Sequence, residues 1–575
     1  MNHPDATAAF EAALAAYGES AWQRARALAQ EALRLDPQHP GALFLVGALE
    51  LDAGEAAAAL QNLSRAASLA PGHPGIRRSL AQTYAALSDW VPAADAYREA
   101  LKLSPPDAGL WAEFGLTLHE LGDFDAALAA FQESLRLDPS KPDIYSNLAV
   151  TLNRKHDFEG AIAAYERALS LDPRNIPALA NLAMLYEQMN ELDKAEETAA
   201  RGLTLDPDHD ILHLVAARCE RRHGDLRQAV SRLKRTLDNP RTEKRARRGL
   251  HFELGRDHDL LGEIDDAYGH FLAGNRIADE IWPDMAEAGA RFAEQLDADL
   301  AELDADTLRA LADADTEPQE RSPVFLVSFP RSGTTLMDTI LGAHPDVAVM
   351  EEEPPLYIVQ ERVQGRHGAG PRALLKLSET DLAELRALYW AEAARYLGED
   401  LGSARVIVDK NPFHSAHAAL IHRLFPDTRF VFAERHPCAV ILSCFMQPFG
   451  RNPALANFTS LMGGAELYRR VMTLWLRYRV ALPLQVHELR YESLVDDKEA
   501  ELRRTLEYLG LAWDPTLIDH VAHARKRGRI YTPSYHQVSR PIYRESLDRW
   551  RNYQRYFGEA SVVLRPFLDE FGYKP

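Results

Sequence analysis

The 575-residue sequence predicts a multidomain protein, in which an all-α superhelix of repeated helix pairs is followed by an α/β domain with a parallel sheet. Three observations predict this fold. Leucine, proline and small residues recur every 34 residues in the first half, short apolar runs alternate with helical patterns in the second half, and a glycine-containing turn joins one apolar run to a helix. The predicted boundaries are 1–275 for the repeats, 276–320 for a helical cap and linker, and 321–575 for the α/β domain.

Six prolines in the first half stand 34 residues apart, each two residues after a leucine: Pro37, Pro71, Pro105, Pro139, Pro173 and Pro207. Small residues keep the same spacing at Gly47, Ala81, Gly115, Ala149, Ala183 and Ala217. This pattern resembles the tetratricopeptide repeat, a pair of antiparallel helices, and about eight units fit it. The concave surface of such an array usually binds a protein or peptide segment. A role in capping or dimerising the second half is the alternative.

Charge is distributed unevenly along the chain. The net charge is −20, and residues 1–320 hold 55 acidic and 32 basic side chains, a net of −23, which leaves +3 for the rest. Nucleic acid is an unfavourable partner for a first half with this much negative charge, because the phosphates would be repelled. No apolar run is long enough to span a bilayer and no signal peptide is visible, so we expect a cytoplasmic protein without a membrane partner. The three cysteines give no disulfide framework and no metal-ligand cluster, so no metal is expected.

Four apolar runs rich in Val, Ile and Phe predict parallel strands at 323–329, 405–409, 429–434 and 484–489. The first enters the turn Pro330–Thr335, which opens an amphipathic helix. Such a turn directs backbone N–H groups and the positive end of a helix at one point, so it binds anions. It resembles a phosphate-binding loop but lacks the Gly-Lys-Ser/Thr ending of nucleotide hydrolases, and its cation is Arg331. A magnesium-dependent kinase is therefore disfavoured.

Further motifs follow in the second half: Asp409-Lys-Asn-Pro-Phe413, Arg435 with Ser443 eight residues later, Tyr491-Glu-Ser-Leu494, and the stretch from Ser534 to Trp550. Together with the loop, they resemble the tyrosylprotein sulfotransferases over about residues 323–555. Repeat-bearing bacterial relatives of those enzymes have the most similar architecture. The resemblance implies a P-loop-like sulfotransferase domain that uses 3′-phosphoadenosine 5′-phosphosulfate as its donor.

The resemblance also implies roles for single residues. The loop residues Arg331, Ser332, Gly333, Thr334 and Thr335 would bind the 5′-phosphosulfate of the donor. Arg435 and Ser443 would bind its 3′-phosphate. Tyr491 would pack on the adenosine, and Arg549 would make a further contact with the nucleotide. Glu352, which lies 21 residues past Arg331, matches the general base. Arg331 would grip the sulfuryl oxygens, and Lys410 and Ser534 would stabilise the leaving oxygen.

The acceptor is predicted less directly than the donor. A hydroxyl is required, and protein tyrosine is the leading acceptor class, with a carbohydrate or small molecule as the runner-up. Glu353, Pro354 and Pro355 stand where the tyrosylprotein enzymes carry arginines that grip acidic peptides, and Gln447 replaces a nucleotide-contacting arginine. A scaffold that binds the nucleotide without turnover is the alternative from another functional class.

Overall fold

The computed structural model describes residues 4–314, 317–398, 400–519 and 545–574. The chain forms two compact units, Met1–His223 and Gly224–Pro575. The predicted fold class is confirmed: the first unit is an all-helical repeat superhelix, and the second contains a parallel five-stranded sheet. The division at Gly224 differs from the predicted boundaries at 275 and 320. Those boundaries describe repeat periodicity in the sequence and stay predictions.

Over residues 4–223 the first unit consists of consecutive helices: α1 Pro4–Gly18, α2 Trp22–Leu35, α3 Pro40–Asp52, α4 Ala56–Leu69, α5 Pro74–Ala86, α6 Trp90–Leu103, α7 Ala108–Leu121, α8 Phe124–Leu137, α9 Pro142–Arg154, α10 Phe158–Leu171, α11 Ile176–Gln188, α12 Leu192–Leu205 and α13 Asp210–His223. The recurring prolines lie in the turns that follow the second helix of each pair, because proline cannot continue a helix.

The small residues of the repeat lie where two helices of a pair approach most closely. A Cβ atom on Gly115 of α7 would stand 2.7 Å from a ring carbon of Phe131 on α8, and one on Gly47 of α3 would stand 2.6 Å from Leu63 on α4. In each case the partner is 16 residues further along the chain. A large side chain on the second helix therefore packs into the space left by the small residue on the first.

The second unit begins with helices that lead into the α/β domain: α14 Leu226–Asp238, α15 Lys244–Leu260, α16 Ile264–Ile281, α17 Pro283–Glu302 and α18 Ala305–Ala312. These helices pack on the later part of the unit. Asn275 of α16 donates to the carbonyl of Phe445 over 3.0 Å, and Arg248 of α15 donates to the carbonyl of Phe449 over 2.7 Å.

The α/β domain continues with strands and helices in this order: β1 Val324–Val327, α19 Thr334–Leu341, β2 Val347–Glu351, α20 Pro355–His367, α21 Pro371–Leu374, α22 Glu379–Leu397, α23 Asp400–Ser403, β3 Val406–Lys410, 3-10 helix Pro412–His417, α24 Ala418–Leu424, β4 Arg429–Glu434, α25 Pro437–Phe445, 3-10 helix Leu455–Thr459, α26 Leu461–Ala481, β5 Gln485–Arg490, α27 Tyr491–Asp496, α28 Lys498–Leu509, 3-10 helix Pro515–Ile518, α29 Glu545–Asn552, α30 Gln554–Phe557 and α31 Glu559–Glu570. The four predicted strands are confirmed. Strand β2 was not predicted.

The sheet has the order β2-β3-β1-β4-β5, and every neighbouring pair is parallel. Side chains of β1 alternate between two apolar cores. Phe325 and Val327 join the larger core, which includes α24, α25 and α26, while Val324 and Leu326 join the core against α19 and α28. Helices cover both faces of the sheet. Because all five strands are parallel, their carboxyl ends meet at one edge of the sheet.

No helix in the described part of the chain combines the length and apolarity needed to cross a membrane.

The close approach at Gly115 predicts a position that does not tolerate bulk. Gly115→Val would force its branched side chain into the Phe131 ring, and we expect the free energy of unfolding to fall by about 1–3 kcal/mol. Ala129→Val, an exposed site on α8, is the matched control and should cost about 0.5 kcal/mol or less. Urea unfolding of the full chain, followed by circular dichroism, measures both. Equal losses in the two variants would contradict the packing described.

Candidate functional site

Five sequence-predicted residues lie at the carboxyl edge of the sheet, each at or after the end of a different strand. Arg331 lies in the loop after β1, Glu352 follows β2, Lys410 ends β3, Arg435 follows β4 and Tyr491 follows β5. This edge is where open parallel sheets bind ligands. The residues are far apart in sequence, and the parallel order of the strands brings them to the same edge.

The loop between β1 and α19 depends on two residues in the left-handed region, Arg331 at φ +72° and Gly333 at φ +100°. Glycine is required at 333 for a second reason, since a Cβ atom there would stand 2.5 Å from the Tyr491 ring. Ser332 and Thr334 are buried, and α19 begins at Thr334. The first N–H groups of a helix have no partner within the helix, so this end suits an anion.

Four predicted donor-binding residues contact one another beside this loop. The Arg331 Nε donates to the Ser443 Oγ over 3.1 Å, and the Arg435 Nη1 donates to the carbonyl of Arg331 over 3.1 Å. The Arg435 guanidinium lies 4.6 Å from the centre of the Tyr491 ring. We call Arg331, Arg435, Ser443 and Tyr491 the basic cluster. It combines two guanidinium groups, a hydroxyl and an aromatic face, which are groups that bind phosphates and a purine.

Two further residues predicted for the site, Arg549 and Ser534, do not join the basic cluster in the described part of the chain. Arg549 lies on α29, whose Trp550 stacks on His436 with ring centres 4.3 Å apart, next to Arg435. The Arg549 side chain forms an ion pair with Asp259 of α15, and its contact with a nucleotide stays a prediction. Ser534 lies outside the described residues.

Lys410 lies beside the loop at the centre of a buried ionic cluster. Its side chain is fully buried, and its Nζ lies 3.2 Å from Asp338 Oδ2, 3.5 Å from Glu351 Oε1 and 2.9 Å from Glu352 Oε1. Burial acts to lower the pKa of Lys410, but attraction from the three carboxylates outweighs it. The pKa of Lys410 is therefore raised above its ordinary value, and the side chain is a cation at neutral pH.

Glu352 is held by its backbone as well as by its side chain. Its φ of +56° is in the left-handed region, and its N–H donates to the carbonyl of Lys410 over 2.8 Å. Its side chain is 42% exposed, whereas those of Asp338 and Glu351 are at most 5% exposed. Glu352 is therefore the one carboxylate of this trio that solvent and an incoming molecule can reach easily.

Comparison with known proteins gives two family matches. Residues 323–515 match the model described as "Sulfotransferase family", and residues 5–250 match the "Cilia and flagella-associated protein 70 C-terminal domain". The C-terminal half carries a sulfotransferase family domain.

Individual relatives are distant. An "Uncharacterized protein" of Aquifex aeolicus (strain VF5) is 26% identical over 350 residues, covering 59% of this chain but only 44% of that protein. Protein-tyrosine sulfotransferase 2 of Gallus gallus is 26% identical over 276 residues, covering 45% of this chain and 71% of that protein. Among solved structures, one neighbour is YrrB, a TPR protein with an unusual peptide-binding site. The alignment covers 32% of this chain and 95% of the YrrB chain, at 18% sequence identity and a TM-score of 0.29.

The sulfotransferase domain contains buried ionisable groups for which the sequence predicted no role. Asp338 and Glu351 complete the Lys410 cluster. In the next layer, the Tyr389 hydroxyl donates to Asp409 Oδ2 over 2.7 Å, and burial raises the pKa of Asp409 to about 7. A signal for Asp338 was available, since it is the one charged residue in the run Thr334–Leu341.

A metal-ligand geometry occurs elsewhere in the second unit. Among the described residues, His258, Glu263 and Asp266 have ligand atoms within 4.8 Å of one another. The His258 Nδ1 lies 2.6 Å from Glu263 Oε2, and Arg227 lies 2.6 Å from the other oxygen of the same carboxylate. These contacts already satisfy the Glu263 carboxylate with protein partners. The absence of a metal from the reaction stays a prediction.

The ionic cluster predicts a pH-dependent loss of stability when its cation is removed. Lys410→Met removes the cation that faces the buried carboxylates of Asp338 and Glu351, and we expect a destabilisation of about 3–5 kcal/mol at pH 7.5. Loss of a facing cation raises the folded-state pKa of a buried carboxylate, so this loss of stability should shrink as the pH falls towards 5. Thermal unfolding between pH 5 and 8 measures it.

Lys376→Met, at an exposed lysine, is the matched control and should change stability by less than about 1 kcal/mol across this range. A Lys410→Met loss that is independent of pH would contradict the ionic cluster.

Proposed function

We propose that this protein is a sulfotransferase that moves a sulfuryl group from 3′-phosphoadenosine 5′-phosphosulfate to a hydroxyl of an acceptor. One observation carries the proposal: the basic cluster and the Glu352–Lys410 pair lie at the same carboxyl edge of a sulfotransferase family domain. A donor-binding group and an acid–base group are thereby available around one anion-binding loop.

The donor carries negative charge at two ends, and the site offers two groups of partners for it. The loop N–H groups of residues 331–335 and the Arg331 guanidinium would bind the 5′-phosphosulfate. Arg435 and Ser443 would bind the 3′-phosphate, and the Tyr491 ring would pack on the adenosine. The contact from Arg331 to Ser443 supports a continuous surface between the two ends of the donor.

In the transfer step, the acceptor oxygen forms a bond to sulfur while the bond from sulfur to the bridging phosphate oxygen breaks. The Glu352 carboxylate would take the acceptor proton, since it is the exposed member of its trio. The electron pair of the broken bond stays on the bridging oxygen, which becomes a phosphate oxygen of 3′,5′-adenosine bisphosphate. Lys410 would stabilise the charge developing there with a hydrogen bond.

For the acceptor, we propose a tyrosyl side chain of a protein or peptide, delivered by the repeat array of the first unit. Relatives named protein-tyrosine sulfotransferase support this choice, as does the general use of tetratricopeptide surfaces for peptide binding. The half-buried Glu353 adds a further carboxylate next to Glu352, so acidic residues flanking the tyrosine should be disfavoured. Mass spectrometry of sulfated species in cells with and without the protein tests the acceptor class.

The base role of Glu352 predicts a separation of catalysis from binding. Glu352→Gln should lower sulfuryl transfer by at least about 100-fold, because the amide cannot take the proton. Calorimetric affinity for 3′,5′-adenosine bisphosphate should stay nearly unchanged. Glu361→Gln, an exposed site on α20, is the matched control and should leave both unchanged. Loss of nucleotide binding in Glu352→Gln would contradict the base role. A wild-type protein that binds the donor but never transfers would favour the scaffold alternative.

The role of Arg435 predicts selectivity for the 3′-phosphate. Arg435→Met should weaken binding of 3′,5′-adenosine bisphosphate by about 10- to 100-fold, through loss of a charged hydrogen bond. It should change binding of adenosine 5′-monophosphate by a few-fold at most. Arg429→Met, at the opposite end of β4, is the matched control for both ligands. Equal weakening of the two nucleotides by Arg435→Met would show that Arg435 does not read the 3′-phosphate.

A further inference from the structure

Asp338 is a buried carboxylate to which the proposed transfer step gives no role. It lies on α19, three residues after Thr335 of the loop, and its side chain has no exposed surface. Its Oδ1 accepts from the Thr339 hydroxyl over 3.2 Å, and its Oδ2 lies 3.2 Å from the Lys410 Nζ. A buried carboxylate costs several kcal/mol unless it is paired, and the Lys410 cation supplies such a pairing.

The three carboxylates around Lys410 differ in how freely they can leave it. Asp338 lies on a buried helix and Glu351 on a buried strand, where it pairs in register with Lys410 itself. Glu352 is the exposed partner at the end of the strand. Two partners are therefore fixed by the fold, while the third can turn towards an incoming acceptor.

We infer that Asp338 is a positioning residue, which holds the Lys410 ammonium at a fixed place relative to the anion-binding loop while Glu352 is neutralised. The inference rests on the proposed function. When Glu352 takes the acceptor proton, it loses its negative charge and its attraction for Lys410. Asp338 and Glu351 keep their charges, so the ammonium stays protonated and in place as the bond from sulfur to the bridging oxygen breaks.

Helix α19 makes Asp338 better suited to this role than Glu351. The loop that would hold the sulfuryl group continues directly into α19, so an ion pair from Asp338 to Lys410 ties the lysine to the same rigid element as the loop. Glu351 is on an edge strand and lies further from the Lys410 Nζ, at 3.5 Å. Asp338 thus links the position of Lys410, the cation that would stabilise the leaving oxygen, to the position of the donor.

Steady-state kinetics of Asp338→Asn tests the catalytic part of the inference. The variant keeps the oxygen that accepts from Thr339 but removes the charge facing Lys410. We expect kcat for transfer to fall by about 10- to 100-fold with little change in donor KM.

Asp427→Asn, an exposed site in the turn before β4, is the matched control. An unchanged kcat in Asp338→Asn, or a fall in kcat accompanied by an equally large weakening of donor binding, overturns the positioning role. If the wild-type protein transfers no sulfuryl group to any acceptor, the proposed function fails instead.

A stability cycle tests the ion pair without any activity measurement. Thermal unfolding of Asp338→Asn, Lys410→Met and the double variant is compared with that of the wild-type protein. We expect the double variant to lose less in Tm than the sum of the two single losses, because each single change already removes the attraction between Asp338 and Lys410. Additive losses would mean that Asp338 does not anchor Lys410, and would overturn the inference whatever the kinetics show.

Discussion

The parallel pairing of the five strands is the constraint on which the site depends. With β1 at the centre and β3 and β4 on its two sides, the loop after β1 lies between the residues that follow its neighbours. Lys410 ends one neighbour and Arg435 follows the other. Side chains 112 residues apart, such as Arg331 and Ser443, thereby come within hydrogen-bond distance. A slip of β2 by one residue would move each of its side chains to the opposite face of the sheet.

The strained backbone at Glu352 follows from the same pairing. Glu351 is the last residue of β2 in register with Lys410, and the N–H of Glu352 still donates to the carbonyl of Lys410. To keep this bond while turning out of the strand, Glu352 takes a positive φ, which costs about 1–3 kcal/mol for a residue other than glycine. The ion pair with Lys410 helps to offset that cost. The backbone therefore fixes the position of the Glu352 Cα atom, while the Glu352 side chain keeps the freedom to move.

Much of this arrangement could be predicted from the sequence, because periodicity and strong apolar runs reflect local packing. The 34-residue period predicted that small residues such as Gly115 lie where two helices touch, and apolar runs predicted four of the five strands. Strand β2 was missed because Val347–Glu351 is a short edge strand with a half-exposed residue that runs directly into acidic residues. The pairing of Arg549 with Asp259, 290 residues earlier, depends on tertiary packing that no local pattern encodes.

Charge is divided across the anion-binding loop, and this division bears on how the two substrates of the proposed reaction would meet. On one side, Arg331 and Arg435 present guanidinium groups suited to a donor with several negative charges. On the other side, Lys410 faces Asp338, Glu351 and Glu352 among the described residues, and of these carboxylates only Glu352 is substantially exposed. A hydroxyl that enters there would meet the exposed Glu352 carboxylate, which lies 2.9 Å from the Lys410 ammonium. The carboxylates that keep Lys410 protonated therefore serve both steps of the proposed reaction, since the exposed one can take the acceptor proton while the cation they hold faces the leaving oxygen.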